Sequence, residues 1–439
     1  MIKELIKLIF NSTSFLIISQ KFVQAIIGLV TTILVTFFLS PIEQGYFYTM
    51  GSILTSYVLL DLGLSNLVVQ KSAGYFSALK WGKNNIIIGN KLVKAKFISF
   101  FKCVETWYIK LSFLTFIILP VGYLYFSNFQ STNDVNWILP WLIGVLFFAL
   151  SMPAIGYLAL MEGSKQIRSV YKIRIAHYLF GGFLSWILLY IGQGIYSLAA
   201  APFAIIIIVY LWIYTKFNKF IIEIKKHENI FSWKNEIYPQ QKKVGVNWLS
   251  NYFFLHLPVP IVFYFLGPID AGKFGLSIVV ANISISIAMA PITSITPKIS
   301  SLLSQANFDK GLYFFIKAFI FSLILILLGS CFFFFIHSVF QNIHFFQRLL
   351  SPTQLLLIFI SFSFYYFVNS FIIFFRSYGK EPFVFQILIT TVLMITIGSY
   401  LINDYGIDSF IFMVLISYIF LFIYCLIYFI NFINSFKKI

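Results

Sequence analysis

Apolar runs long enough to cross a bilayer recur along almost the whole chain, and that property decides most of what it can become. A spanning helix needs about 20 mostly apolar residues. Of 439 residues, 60% are hydrophobic and only 10% are charged. A water-soluble domain of this size could not cover its surface with so few charges. In lipid every backbone N–H and C=O must be satisfied within the protein, which favours helices. The chain is therefore predicted to be an all-α polytopic membrane protein. No polar stretch is large enough for a separate soluble domain, and no small-residue cleavage site follows the first apolar run.

The hydrophobic pattern predicts twelve transmembrane helices, at about 13–39, 46–69, 109–126, 138–160, 175–191, 196–214, 246–266, 274–296, 313–338, 353–375, 383–402 and 409–430. With the N-terminus placed in the cytoplasm, all of the 31 Lys and Arg residues except Lys21, Lys273 and Arg348 fall on the cytoplasmic side. That asymmetry is the positive-inside signal, and it puts both termini in the cytoplasm. It also answers the net charge of +17. The basic residues sit in short segments beside apolar spans, so no nucleic-acid partner is expected. Cys103, Cys331 and Cys425 fall in cytoplasmic or membrane segments and are predicted to be free thiols.

One short pattern is written twice. Leu39-Ser40-Pro41-Ile42-Glu43-Gln44-Gly45-Tyr46-Phe47 returns as Leu266-Gly267-Pro268-Ile269-Asp270-Ala271-Gly272-Lys273-Phe274. Each copy joins the first apolar run of its half to the second. Duplicated halves are a mark of transporters that rock one half against the other. The expected architecture is two six-helix bundles, 1–214 and 246–439, related by a pseudo-two-fold axis along the membrane normal. A cytoplasmic linker, 215–245, joins them.

Two cytoplasmic segments are long, 70–108 and 215–245. The first reads as a helical extension with an amphipathic stretch, Lys91 to Lys102, lying on the membrane surface, mainly a topology determinant and secondarily a site for anionic lipid. Trp137 and Trp141 at the outer end of helix four, and Trp107, Trp212 and Trp248 at inner ends, fit the interfacial aromatic belt.

Charges inside spans are costly, at about 2.5–3.5 kcal/mol on insertion scales, so they face protein or water. Lys21 and Asp61 stand at equal depth on adjacent antiparallel helices, which makes a Lys21–Asp61 contact an expectation. Whether such a pair only orients two helices or serves transport is left open by spacing. Gln24, Gly28 and Thr31 continue a polar or small face from Lys21. Tyr57, Asp61 and Ser65 line helix two. Asn247 and Asn251 line helix seven at positions that the repeat offset relates to Gln20 and Gln24. Asn282, Ser286 and Thr293 share a face of helix eight. A polar lumen walled by helices one, two, seven and eight is the inference. His256 shares a face with Tyr252 and precedes Pro258 and Pro260, where the helix should bend. It reads as hydrogen-bonded packing, or as a proton-sensitive group or phosphate-binding cation. A similar break is expected at Pro291 and Pro297. His177 and His337 are expected at the interface.

The chain has no Walker-type Gly-rich loop, no HExxH and no Cys pairs at metal spacing. Neither a metal, nor a cofactor, nor enzyme chemistry is expected.

The run from Leu39 to Thr49, then Asp61-Leu62-Gly63-Leu64-Ser65 and Gln70 through Ala73, resembles the opening of bacterial O-antigen flippases of the Wzx type. These belong to the multidrug/oligosaccharidyl-lipid/polysaccharide (MOP) exporter superfamily. Met161-Glu162-Gly163 also fits. The motif match is close over 39–73 and loose elsewhere, while the topology resembles the family along the whole chain. The resemblance implies a flippase that moves undecaprenyl-pyrophosphate-linked oligosaccharide from the cytoplasmic to the periplasmic leaflet of the bacterial inner membrane. It implies Lys21 as a cation for the pyrophosphate, His256 as a second, and Asp61 as the acidic position of the family's Asp/Glu-Leu-Gly segment. Membrane lipid and a polysaccharide polymerase are the implied partners. Mid-membrane Arg residues, expected in some relatives, are missing from the predicted spans.

The candidate substrate site is thus Lys21, Gln24, Asp61, Asn247, Asn251, Tyr252, His256, Asn282 and Ser286, with Asp61 and His256 as ion-coupling candidates. The rival reading is a cation-coupled multidrug exporter of the same superfamily. It would favour an anionic, aromatic cavity, and Lys21 counts against it. A membrane polymerase would need a large periplasmic loop, which is lacking.

Overall fold

The computed structural model describes residues 13–128, 135–226, 231–305 and 307–437. Two compact units divide the chain, one ending at Tyr252 and the other starting at Phe253.

The first unit opens with α1 (Thr13–Phe38), α2 (Pro41–Leu54), α3 (Tyr57–Asp61) and α4 (Leu64–Tyr75). A two-stranded antiparallel hairpin follows, β1 (Leu79–Trp81) against β2 (Ile87–Gly89). Then come α5 (Lys91–Thr115), α6 (Ile118–Ser127), α7 (Ile138–Gly163), α8 (Ile167–Tyr190), α9 (Ala200–Lys216), α10 (Asn218–Lys226) and α11 (Trp233–Glu236). Helix α12 (Tyr238–Leu255) crosses the boundary. The second unit holds α13 (Pro258–Leu266), α14 (Pro268–Ser304), α15 (Phe308–Val339), α16 (His344–Gln347), α17 (Pro352–Ser377) and α18 (Val384–Lys437).

Nine helices among the described residues are long and apolar enough to cross a membrane, and the bent run Pro41–Tyr75 adds a tenth. Helix α18 is two helices merged across a kink at Gly406, where φ is 66°. Helices α12 and α13 make one further broken helix, interrupted at His256 and Leu257. With these, the spans match the twelve that the hydrophobic pattern predicts, in an all-α polytopic membrane protein.

The repeated pattern is a helix-start signal in both places. Pro41 and Pro268 each occupy the first turn of the helix that follows. Proline suits that position because its missing N–H has no intrahelical partner there. At the first copy Ser40 and Glu43 form a reciprocal capping box. At the second, Gly267 takes φ 86° and no side chain caps the helix.

Helix two is bent by 41°. Leu62 and Gly63 both take positive φ, 46° and 71°, and they separate α3 from α4. Gly63 carries this without the Cβ penalty.

Three expectations are overturned here. The stretch from Lys91 to Lys102 does not lie on the membrane surface. It is the first half of α5, and Phe97, Ile98, Phe100 and Phe101 are all buried within the first unit's core. A run with apolar residues on both sides of the helix is excluded from water on both sides. Phe97 packs on Phe220 of α10, and Lys94 pairs with Glu223 of α10 at 2.6 Å. Helices α10 and α11 of the predicted linker therefore pack on α5, and Trp107 stacks on Trp233 of α11 at 4.6 Å. Second, Trp137 and Trp141 are buried, each 1% exposed, instead of forming a belt. The Trp141 indole donates to the Leu119 carbonyl at 3.1 Å. Third, α14 runs unbroken past Pro291 and Pro297.

The second unit's core is aromatic. Phe315 of α15 packs on Phe374 of α17, and Phe371 packs on Phe429 of α18, both at 4.8 Å.

Candidate functional site

The helices of the first unit line a half-open cavity of about 570 Å³. Helix α1 contributes Gln20, Lys21 and Gln24, and α4 contributes Ser65 and Asn66. Helix α7 contributes Ser151 and Glu162, and α8 contributes Tyr171, Arg174, His177 and Tyr178. Ala201, Pro202 and Ile205 of α9 close one wall.

Helix α1 points this face inward through its contacts with α8. Gly182 lets Ile27 approach so closely that a Cβ there would lie 2.6 Å from the Ile27 side chain. The Trp186 indole donates to the Thr31 hydroxyl at 2.9 Å. Thr31, on the predicted polar face, thus serves helix packing. Earlier in the same helix, the Gln20 amide donates to the Gln24 carbonyl oxygen at 3.1 Å, and both line the cavity.

The cavity carries two cations and one carboxylate. Glu162 ends α7 and Arg174 lies on the second turn of α8, so the turn at Ser164–Gln166 faces them toward each other. Their charged groups meet at 2.6 Å. The Tyr171 hydroxyl donates to the other Glu162 oxygen at 3.1 Å, and the Arg174 guanidinium lies 4.9 Å from the Tyr171 ring centroid. Lys21 lines the same space and has no carboxylate within ion-pair distance among the described residues.

The expected Lys21–Asp61 contact is therefore not made. Asp61 is 7% exposed, and its two oxygens are held by other groups. The Tyr108 hydroxyl donates to Oδ1 at 2.7 Å, and the Ser65 hydroxyl donates to Oδ2 at 3.0 Å. Gly156 makes room for the Tyr108 ring, since a Cβ there would lie 2.5 Å from it. A second pairing of this kind joins α7 to α5, in which the Tyr157 hydroxyl donates to Glu105.

The other predicted site residues are dispersed. Asn247 and Asn251 lie on α12, and their side chains fall outside the described residues. Tyr252 is buried and donates to the Ser52 carbonyl at 3.2 Å, which ties α12 to α2. His256 occupies the break between α12 and α13. On α14, Ser286 is exposed and donates to the Asn282 carbonyl at 2.8 Å. Lys21 and Gln24 are the two predicted residues that the described cavity brings together.

Sequence reasoning missed Glu162, Arg174 and His177. The predicted fifth span begins at 175, whereas α8 begins at Ile167. The basic residues Arg168, Lys172 and Arg174 look like a topology signal and are instead helical. Arg174 stands inside a helix long and apolar enough to span, and His177 is 8% exposed. The one sequence signal was Met161-Glu162-Gly163.

No family model matches the sequence, and no curated protein matches it. Solved structures do. The MATE multidrug transporter DinF-BH, in a ligand complex, superposes with a TM-score of 0.62 at 14% identity, covering 96% of this chain and 95% of that one. The lipid II flippase MurJ in an inward closed conformation gives 0.59 at 13% identity, covering 93% of this chain and 86% of that one. A MOP superfamily transporter from Pyrococcus furiosus, described as having a binding pocket of reverse polarity, gives 0.56 at 14% identity over 99% of this chain and 98% of that one. At such identity the likeness speaks for the fold alone. The chain is a multi-pass membrane protein with the fold of the MOP superfamily transporters.

Proposed function

We propose that the chain is a flippase for polyprenyl-pyrophosphate-linked oligosaccharide, an O-antigen or capsule repeat unit. It would move the substrate by alternating access from the cytoplasmic to the periplasmic leaflet of a bacterial inner membrane. The observation that carries this reading is Lys21, an ammonium without a carboxylate partner among the described residues, in a cavity lined by amides and hydroxyls. A diphosphate needs charge-assisted hydrogen bonds. Sugar hydroxyls need donors and acceptors, because unpaired polar groups are costly away from water. Gln20, Gln24, Ser65, Asn66 and Ser151 supply them. A cavity of about 570 Å³ suits a diphosphate with its first sugars, while the lipid tail stays in the bilayer. Asn247, Asn251, Tyr252, His256, Asn282 and Ser286 remain proposed contacts beyond this cavity.

Replacing Lys21 by Ala, and separately by Arg, in a flippase-null strain tests the reading. Lys21→Ala should abolish surface polysaccharide at equal protein level, and Lys21→Arg should restore part of it. Normal export by Lys21→Ala would refute the role.

A second reading, a cation-coupled multidrug exporter, draws on Glu162, Tyr171 and Tyr178 in the same cavity, which suit an organic cation. Its signature would be drug resistance that depends on Glu162 and not on Lys21.

A further inference from the structure

A groove on the second unit, of about 400 Å³, lies between α14 and α15. Lys298 of α14 and Lys317 of α15 both line it, with Pro291, Phe314 and Phe321 among the other lining residues. No acidic side chain lines it, and neither lysine has a carboxylate within ion-pair distance among the described residues. The Lys298 ammonium rests 3.5 Å from the Phe314 ring centroid, which fixes its position.

The surroundings make the lysines unusual. Along α15 the neighbours of Lys317 are Tyr313, Ile316, Ile320, Phe321 and Ile324, all exposed on a helix long and apolar enough to cross a membrane. An exposed face this apolar suits lipid chains better than water. Lys298 stands six residues before Ser304, and Lys317 nine residues after Phe308. At 1.5 Å per residue both sit roughly 9–14 Å from the tip of the α14–α15 hairpin. Lysine stems reach toward the interface from that depth. The charge asymmetry of the sequence assigns that tip to the cytoplasm, where anionic lipid is found.

We infer that Lys298 and Lys317 form a binding site for the phosphate of an anionic phospholipid of the surrounding bilayer, with its acyl chains lying on Phe314 and Phe321. Two ammonium groups without a carboxylate favour an anion, and the apolar lining favours one that carries hydrocarbon. The inference does not depend on the transported substrate, because it concerns a different unit from the cavity that holds Lys21.

Native mass spectrometry of the detergent-purified full chain, titrated with phosphatidylglycerol or phosphatidylcholine of equal chain length, tests it. The wild type should retain phosphatidylglycerol in preference. Each lysine replaced by alanine should weaken that preference by about fivefold, and the Lys298→Ala/Lys317→Ala double variant should lose it. The Lys298→Arg/Lys317→Arg variant should keep it. Both lysines are exposed, so thermal unfolding in detergent should stay unchanged and separate loss of binding from loss of fold. A wild type without preference would overturn the inference, as would an alanine double variant that binds phosphatidylglycerol like the wild type. Displacement of phosphatidylglycerol by a short-chain polyprenyl diphosphate, at lower concentration than by more phosphatidylglycerol, would also overturn it in favour of the carried lipid.

Discussion

The Arg174 guanidinium meets the Glu162 carboxylate at 2.6 Å, and this pairing leaves Lys21 as the cavity's uncompensated charge. Both partners are about a quarter exposed, so the cost of desolvating them offsets much of their attraction. Its consequence is electrostatic: two cations against one carboxylate favour an anionic guest.

Arg174→Ala should therefore impair transport more than folding. A hydrogen bond to a charged group contributes about 1.5–3 kcal/mol, which is roughly tenfold to a hundredfold in affinity. Polysaccharide output at equal protein level should fall in Arg174→Ala and recover in part in Arg174→Lys, which keeps charge but not the planar fork. Unchanged output would remove this cavity from the transport path.

Tyr108→Phe removes the hydroxyl that donates to the buried Asp61 carboxylate at 2.7 Å. An unsatisfied buried charged group costs upward of about 1–3 kcal/mol. The variant should unfold several degrees below the wild type in detergent, as read by a thermal-shift assay. An equal melting temperature would mean that water replaces the phenol.

Asp61→Asn keeps an acceptor for Tyr108 and should keep the fold. If Asp61 is the proposed coupling group, the Asn variant should export at a rate indifferent to the proton and sodium gradients, whereas the wild type slows when they collapse. A His256→Gln variant with unaltered gradient dependence would narrow the coupling role to Asp61. Wild-type export that survives loss of both gradients would dismiss both groups.

Gly163→Ala should misassemble the first unit. Its Cβ would lie 2.3 Å from the Val69 carbonyl oxygen, a backbone atom that cannot step aside. Overpacking of this kind costs typically about 1–3 kcal/mol. Gly28→Ala meets nothing within 4 Å and should be silent in folding. Size-exclusion profiles of the two purified variants distinguish them, and a monodisperse Gly163→Ala would show that α4 and α7 can separate freely.

Much of the fold was legible in the sequence because it is set by local rules. Apolar windows and the positive-inside asymmetry count the spans, and the repeated Pro41 and Pro268 mark helix starts at equivalent places. Pro258 also marks the bend after His256, since proline opens α13. The α5 segment was misread because its lysines at Lys91, Lys94, Lys96 and Lys102 resemble a surface pattern, whereas α10 and α11 cover its aromatic faces.

The candidate site was legible only where one helix face carries it, as with Lys21 and Gln24. The sequence alone determined that this chain spans a membrane as helices, how many spans it has, and that Lys21 and Asp61 are too costly to face lipid. Tertiary structure alone decided which charges are paired and with what. Asp61 takes Tyr108 from α5, and Arg174 takes Glu162 across the α7–α8 turn. Hydropathy reports whether a residue is solvated by lipid, which depends on its neighbours along one helix. Which charge meets which depends on how separate helices pack side by side, and no period in the sequence encodes that.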